Sequence, residues 1–106
     1  MYKMIVFVPE SHLEQVKDAL FNAGAGEIGA YSHCCWQVLG MGQFKPGSGS
    51  QPAIGEQGLI SRVEEYRLEV VCENTRVRAA LQAMIAAHPY ETPAYEAFEI
   101  KTLEDF

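Results

Sequence analysis

The residues best suited to chemistry form a short run, His88-Pro89-Tyr90-Glu91, at the end of an expected helix. A protonated imidazole is stabilised at a helix C-terminus, and Pro89 restricts the turn that places Glu91 within reach of His88. This run could therefore hold a metal ion or a small ligand. The alternative, which we favour, is that His88 caps the helix through a hydrogen bond to Glu91. His88 also falls on the apolar face of the helix, where a structural histidine is common.

A second run, YSHCC, ends at Cys35 and contains thiol and imidazole groups that suit zinc or monovalent copper. Neighbouring residues of a strand point to opposite faces, so Cys34 and Cys35 cannot both bind one ion. No C-x-x-C or H-x-x-x-H spacing is present. A site for a divalent transition metal would therefore have to combine His33 or a cysteine, such as Cys35, with His88 and Glu91, within one chain or across subunits. Cys34 is better explained as a small core residue.

The segment between these runs is rich in glycine, and all nine glycines of the chain lie from Gly24 to Gly58. Glycine permits positive φ angles and close approach of other groups. Apolar residues such as Phe44 and Ile54 are interleaved with the glycines, which favours a formed loop over a flexible linker. The spacing matches neither of the two common phosphate-binding glycine motifs. We place this loop at about residues 40–62.

Two strand–helix–strand units are predicted around this loop. Apolar runs and alternation predict strands at Tyr2–Val8, His33–Leu39, Val63–Cys72 and Ala94–Ile100. Apolar stripes predict two helices, one from a Ser11–Glu14 capping box to Gly24 and one from a cap at Asn74 or Thr75 to Pro89. The order βαββαβ is typical of an α+β, ferredoxin-like fold, with a four-stranded antiparallel sheet and two helices on one face.

The pattern of the strands predicts which side of the sheet the helices cover. The apolar side of the second strand, with Cys34, Trp36 and Val38, is expected to face the helices. The open side of the sheet is expected to carry Val71 and Leu39 beside charged residues. Such a face would suit contact with another copy of the chain.

Length, charge and cysteine content restrict the class of protein. The 106 residues predict a single domain spanning 1–106. The net charge of −6, with eight scattered Lys and Arg residues, argues against nucleic acid as a partner. No apolar run approaches the roughly 18–20 residues of a membrane span. Three cysteines, two of them adjacent, predict a reducing cytoplasm. No nucleophile–base motif is present, so we expect no catalytic site.

Three separated segments resemble a known family. The strings GAGEIGAYSHCCW, GQFKPGSGSQPAIGEQG and HPYETPAYE occur here in the same order as in the domain inserted into many members of the Nif-three-like family, of the YqfO type. The resemblance runs from Phe7 to Ile100, nearly the whole chain. It implies a module similar to the CutA and PII proteins, which agrees with the fold predicted above. The segments that flank the insert in that family, and that build a dinuclear metal site, lie outside this sequence, so we expect a stand-alone insert without the activities suggested for that site.

The resemblance also implies an assembly and a role. CutA and PII proteins form trimers, and PII-type proteins bind nucleotide with a long loop between the second and third strands. We therefore expect a homotrimeric binding or regulatory module with a small ligand at the subunit interface. The candidate ligand-binding residues are Tyr31, Gly40, Gly42, Phe44, Lys45, Pro46, Gly55 and Tyr90. Two alternatives stay open: a metal-binding protein using His33, His88 and Glu91, and a docking domain for a separate protein.

Overall fold

The elements follow the predicted order in a computed structural model that describes all residues from Met1 to Phe106. They are β1 (Tyr2–Val8), α1 (Glu10–Asn22), β2 (Trp36–Phe44), β3 (Ser61–Cys72), α2 (Val77–Ala87) and β4 (Tyr95–Glu99), followed by a short 3-10 turn at Leu103–Asp105. The strands form one sheet in the order β2-β3-β1-β4, with every neighbouring pair antiparallel. The two helices pack against one another and against the central strands, which confirms the ferredoxin-like α+β fold.

The core lies between the helices and one face of the two central strands. Strand alternation places Met4, Val6 and Val8 of β1 on this face, next to Leu68 and Val70 of β3. The helices contribute their apolar stripes, Leu13, Val16 and Leu20 from α1 and Ala80 and Met84 from α2. Burial of these side chains supplies the main stabilisation of the fold. Neither helix has the length and apolar character that crossing a bilayer requires.

Strand β2 differs from the prediction in its bounds. The residues around His33 are not in a strand, and His33 itself has a φ of 59°. The strand continues through Gly40 and Gly42 to Phe44, and both glycines pair with β3. The irregular connection is therefore 45–60 rather than 40–62. The prediction failed because pairing with the long β3 holds glycines that would interrupt an isolated strand.

The faces of β2 are the reverse of those predicted. Gln37 pairs with the buried Leu68 and accepts a 3.0 Å hydrogen bond from Lys17 Nζ of α1, so Gln37 lies on the helix side. Trp36 lies on the open side and is 58% exposed. Leu39 lies two residues after Gln37 and therefore on the same, helix-facing side of β2. It does not share the open face with Val71, contrary to the prediction. Successive side chains of a strand point to opposite faces of the sheet, so an error of one residue in the expected register exchanges the two faces.

The predicted side-chain caps of the helices are absent. Helix α1 begins at Glu10 after Pro9, and Ser11 Oγ bonds the ring of His12 instead of a backbone amide. Helix α2 begins after Arg76 without a side-chain cap. The side chain of Asn74 accepts a hydrogen bond from the N-terminal amine, so tertiary contact has redirected a residue that would otherwise suit a cap.

Candidate functional site

A cleft that combines aromatic and charged side chains lies where the connection 45–60 folds against the corner after α2. Its volume is about 350 Å³, within the range of small-molecule sites. The residues of chemical interest in its lining are Phe44, Lys45, Pro46, Glu65, Tyr90 and Glu91. The cleft therefore combines aromatic walls, one ammonium group and two carboxylates.

The connection 45–60 is held in place by hydrogen bonds, as a formed loop would be. The backbone N–H of Gln51 donates to Glu91 Oε1 at 3.0 Å, which fastens the loop to the corner after α2. The N–H of Gly58 donates to the carbonyl of Pro46 at 2.8 Å, which closes the base of the loop. Pro46 is buried there. These contacts give the cleft a defined wall.

His88 is a structural residue beside the cleft. The residue is 7% exposed and occupies the C-cap of α2. Its Nε2–H donates to the carbonyl of Phe7 at 2.7 Å, and its Nδ1 accepts from the N–H of Tyr90 at 3.2 Å. The partners are thus Phe7 and Tyr90 rather than the expected Glu91. Burial lowers the pKa of the imidazole, against a smaller opposing effect of the Phe7 hydrogen bond. The neutral ring ties the cleft corner to β1.

The lowered pKa of His88 predicts a loss of stability in mild acid. The unfolded chain binds a proton near pH 6.5, whereas the folded chain resists protonation until the pH is lower. The free energy of unfolding should therefore fall as the pH drops below about 6.5, by at most about 1.4 kcal/mol per pH unit. Urea unfolding between about pH 5.5 and 7.5 measures this slope. The His88→Gln variant should lose this pH dependence, whereas His33→Gln, which changes a histidine packed on Phe21, should keep it. An unchanged pH dependence in both variants would assign the effect to another group.

Tyr90 places its buried hydroxyl beside the Glu65 carboxylate at the cleft. Its ring packs at a centroid distance of 4.8 Å from His88 and 6.2 Å from Phe44. The hydroxyl oxygen is buried next to the Glu65 carboxylate, and this contact falls short of good hydrogen-bond geometry. Burial, together with the adjacent Glu65 carboxylate, raises the pKa of this phenol far above its usual value. A buried hydroxyl without a well-formed hydrogen bond is costly, and a ligand could supply a better partner.

Glu65 is the site residue that sequence reasoning missed. It lies on the open face of β3, half-buried, and its side chain crosses Gly42 on β2. A Cβ on Gly42 would overlap the Glu65 carboxylate, so glycine leaves the space in which that side chain lies. In the sequence Glu65 is one of three alternating charged residues of a strand. Only the pairing of β3 with β2, which brings Gly42 next to the Glu65 side chain, distinguishes Glu65 from the other charged residues of the strand.

The structure gathers part of the predicted ligand-binding set. Phe44, Lys45, Pro46 and Tyr90 line the cleft. Gly42 and Gly55 lie just behind it, since a Cβ would meet Glu65 at Gly42 and lie 3.5 Å from Phe44 at Gly55. The remaining two residues lie elsewhere: Gly40 is exposed on β2, and Tyr31 is 76% exposed in the turn before β2.

The four predicted metal ligands do not converge within one chain. His33 packs on Phe21 near the end of α1, and Cys35 lies beside Lys3 at the start of β1. His88 and Glu91 lie beyond the other end of β1, where both nitrogens of His88 are already bonded. No group of three or more His, Cys, Asp or Glu side chains is placed to hold a metal ion. Only contact between copies could bring these residues together.

The sequence is similar to segments of longer bacterial proteins, although no family model matches it. It is 50% identical over 98 residues to the GTP cyclohydrolase 1 type 2 homolog of Mycobacterium leprae, covering 92% of this chain and 26% of that protein. It is 48% identical over 99 residues to the protein of the same name from Bacillus subtilis, covering 93% of this chain and 26% of that protein. The chain thus spans about a quarter of the length of the curated relatives it matches.

Solved structures carry the same fold. The Bacillus cereus protein related to NIF3 superposes with a TM-score of 0.82 at 42% identity, covering 95% of this chain and 26% of that chain. The PII-like protein CutA from Nostoc superposes with a TM-score of 0.70 at 15% identity, covering 99% of this chain and 88% of that chain. The first is similar in sequence and structure, and the second is similar in fold alone.

Proposed function

Because the chain belongs to the Nif-three-like family as its CutA/PII-like domain, we propose that it is a self-associating binding module whose cleft holds a small regulatory ligand. The buried hydroxyl of Tyr90, poorly bonded beside Glu65 in a cleft of about 350 Å³, is the observation that supports this proposal most strongly. Burying a hydroxyl without a well-formed hydrogen bond lowers the stability of the fold, and a bound ligand would offset that cost.

The proposal is of binding rather than catalysis. His88, the residue best suited to proton transfer, has both ring nitrogens bonded within the fold. One oxygen of Glu91 is bonded by the loop backbone. The remaining polar groups of the cleft are the Lys45 ammonium and the adjacent Glu65 carboxylate and Tyr90 hydroxyl, and they can orient a ligand by charge and hydrogen bonding.

Self-association is supported by the open face of the sheet. Trp36, Val38 and Phe98 share this face and are 58%, 43% and 43% exposed. Trp36 and Val38 lie on one edge strand and Phe98 on the other, with Lys3 and Glu69 between them. Exposed apolar side chains rimmed by polar residues are typical of protein interfaces. The trimeric state implied by the resemblance to CutA and PII proteins is part of the proposal.

A cytoplasmic setting is also part of the proposal. All three cysteines are free thiols, and Cys35 is exposed. An exposed thiol is stable against oxidation in a reducing compartment. The adjacent Cys34 is not buried in the core as we expected, because it precedes β2 and is only partly covered.

A cleft-blocking variant tests the proposed function. Ala53 lies on the cleft wall and is exposed, so Ala53→Trp should fill the cleft without disturbing the core. In a thermal-shift screen of small cationic, anionic and neutral metabolites, the unmodified chain should gain stability with at least one compound, by mass action. Ala86→Trp, on the exposed side of α2, is the matched control and should keep that response. Equal responses in both variants, or no response in the unmodified chain, would overturn the proposal.

A further inference from the structure

We propose that the cleft takes an organic cation, an ammonium group on a small apolar body, with the Glu65 carboxylate as its counter-ion. This inference rests on the proposed function and adds the chemical class of the ligand. Three features of the cleft point to it: a carboxylate without an ion pair, an aromatic wall beside it, and a shortage of positive charge.

The Glu65 carboxylate is left unpaired by its surroundings. The molecule has four ion pairs, and none includes Glu65. Glu69, on the same face of β3, shows the contrast, since it lies 3.4 Å from Lys3 Nζ and 3.2 Å from Arg67 Nε. A half-buried carboxylate without a cation retains a large attraction for one.

The wall next to Glu65 is aromatic. The rings of Phe44 and Tyr90 pack at 6.2 Å with an angle of 48° between their planes. Ring faces attract cations electrostatically, most strongly where water is excluded. An ammonium group has three donors, so it can bond the Glu65 carboxylate and the neighbouring Tyr90 oxygen together. Pro52 and Ile54 of the loop supply apolar surface for the rest of the ligand.

The charge of the cleft disfavours the opposite class of ligand. A phosphate or nucleotide would find a single ammonium, that of the exposed Lys45, against the carboxylates of Glu65 and Glu91. The chain as a whole carries a formal charge of −6. Like charges a few ångströms apart repel unless cations offset them. The nucleotide binding implied by the PII resemblance is therefore the less suitable outcome for this cleft.

Matched probes that differ in charge test the inference. Titrations of 2-phenylethylammonium, 3-phenylpropionate and 2-phenylethanol can be followed by the backbone amide signals of Gly42, Phe44 and Tyr90 in heteronuclear NMR spectra. The ammonium probe should cause saturable shifts at these signals, and the carboxylate probe should cause none. The Glu65→Gln substitution should lower the affinity for the ammonium probe about tenfold. Glu64→Gln, exposed on the other face of β3, should leave its affinity unchanged.

The outcomes separate this inference from the proposed function. Binding of the carboxylate or the alcohol at the cleft signals in preference to the ammonium would overturn the inference and leave the binding function intact. Ammonium binding that survives Glu65→Gln unchanged would also overturn the inference, because the counter-ion would be another group. If these probes fail and the metabolite screen also gives no response, both proposals fail together.

Discussion

Replacing His88 by alanine should lower the free energy of unfolding by about 3 kcal/mol. The substitution removes a buried ring that bonds the carbonyl of Phe7 and the N–H of Tyr90. It would leave both backbone groups without these partners and a cavity between α2 and β1. Domains of this size are stable by roughly 5–15 kcal/mol, so the variant should still fold and the loss should be measurable by urea unfolding.

Two further variants distinguish the effect of losing His88 on stability from the effect of losing any histidine. His12→Ala should change stability by less than about 0.5 kcal/mol, because His12 bonds only its exposed neighbour Ser11. His88→Gln should recover part of the loss, since its amide can donate to the Phe7 carbonyl. A His88→Ala variant as stable as the unmodified chain would show that these hydrogen bonds do not hold the corner together.

Placing charges on the open face should convert the assembly to monomers. Trp36 and Phe98 would be buried between copies in the proposed trimer, where a desolvated and unpaired carboxylate is strongly unfavourable. Light scattering should give about 35 kDa for the unmodified chain, three times its mass of 11.8 kDa, and about 12 kDa for the Trp36→Glu, Phe98→Glu double variant. Circular dichroism should show the same secondary structure for both.

The control for assembly is a charge placed elsewhere on an exposed apolar residue. Leu103, 88% exposed in the 3-10 turn, lies outside the sheet, so Leu103→Glu should leave the mass unchanged. An unmodified chain that scatters as a monomer at every concentration would contradict self-association. A double variant that keeps the larger mass would place the interface on another surface.

Helices and central strands could be predicted from the sequence because their apolar patterns are long. Leu13, Val16 and Leu20 recur at helical spacing, and all three are buried as that spacing requires. The alternation of β3 likewise places Leu68 and Val70 in the core. These patterns restrict the order βαββαβ to few arrangements, and the ferredoxin-like sheet is the one observed.

The edge strand could not be predicted from its own residues. Trp36 and Val38 have an apolar pattern that normally indicates the core side, and in this chain that side is open. The register with β3 decides the face, and register depends on contacts distant in the sequence. An apolar open side is itself informative, because it is the surface on which self-association is proposed.

The candidate site was predictable only in part, for a related reason. Phe44, Lys45 and Tyr90 could be identified because glycines and prolines mark their segments. Glu65 lies in a regular strand, so no local signal distinguishes it from Glu69, which is paired with cations. The role of Glu65 depends on the passage of its side chain over Gly42, a contact made by pairing across the sheet.

The most direct test of the binding cleft is the ligand-induced rise in melting temperature of Ala53→Trp relative to Ala86→Trp. Both variants add the same side chain at exposed alanines, and only the first lies on the cleft wall. We predict that a compound which stabilises Ala86→Trp as it does the unmodified chain leaves the melting temperature of Ala53→Trp unchanged. Equal stabilisation of the two variants would show that ligands bind elsewhere and would contradict the account.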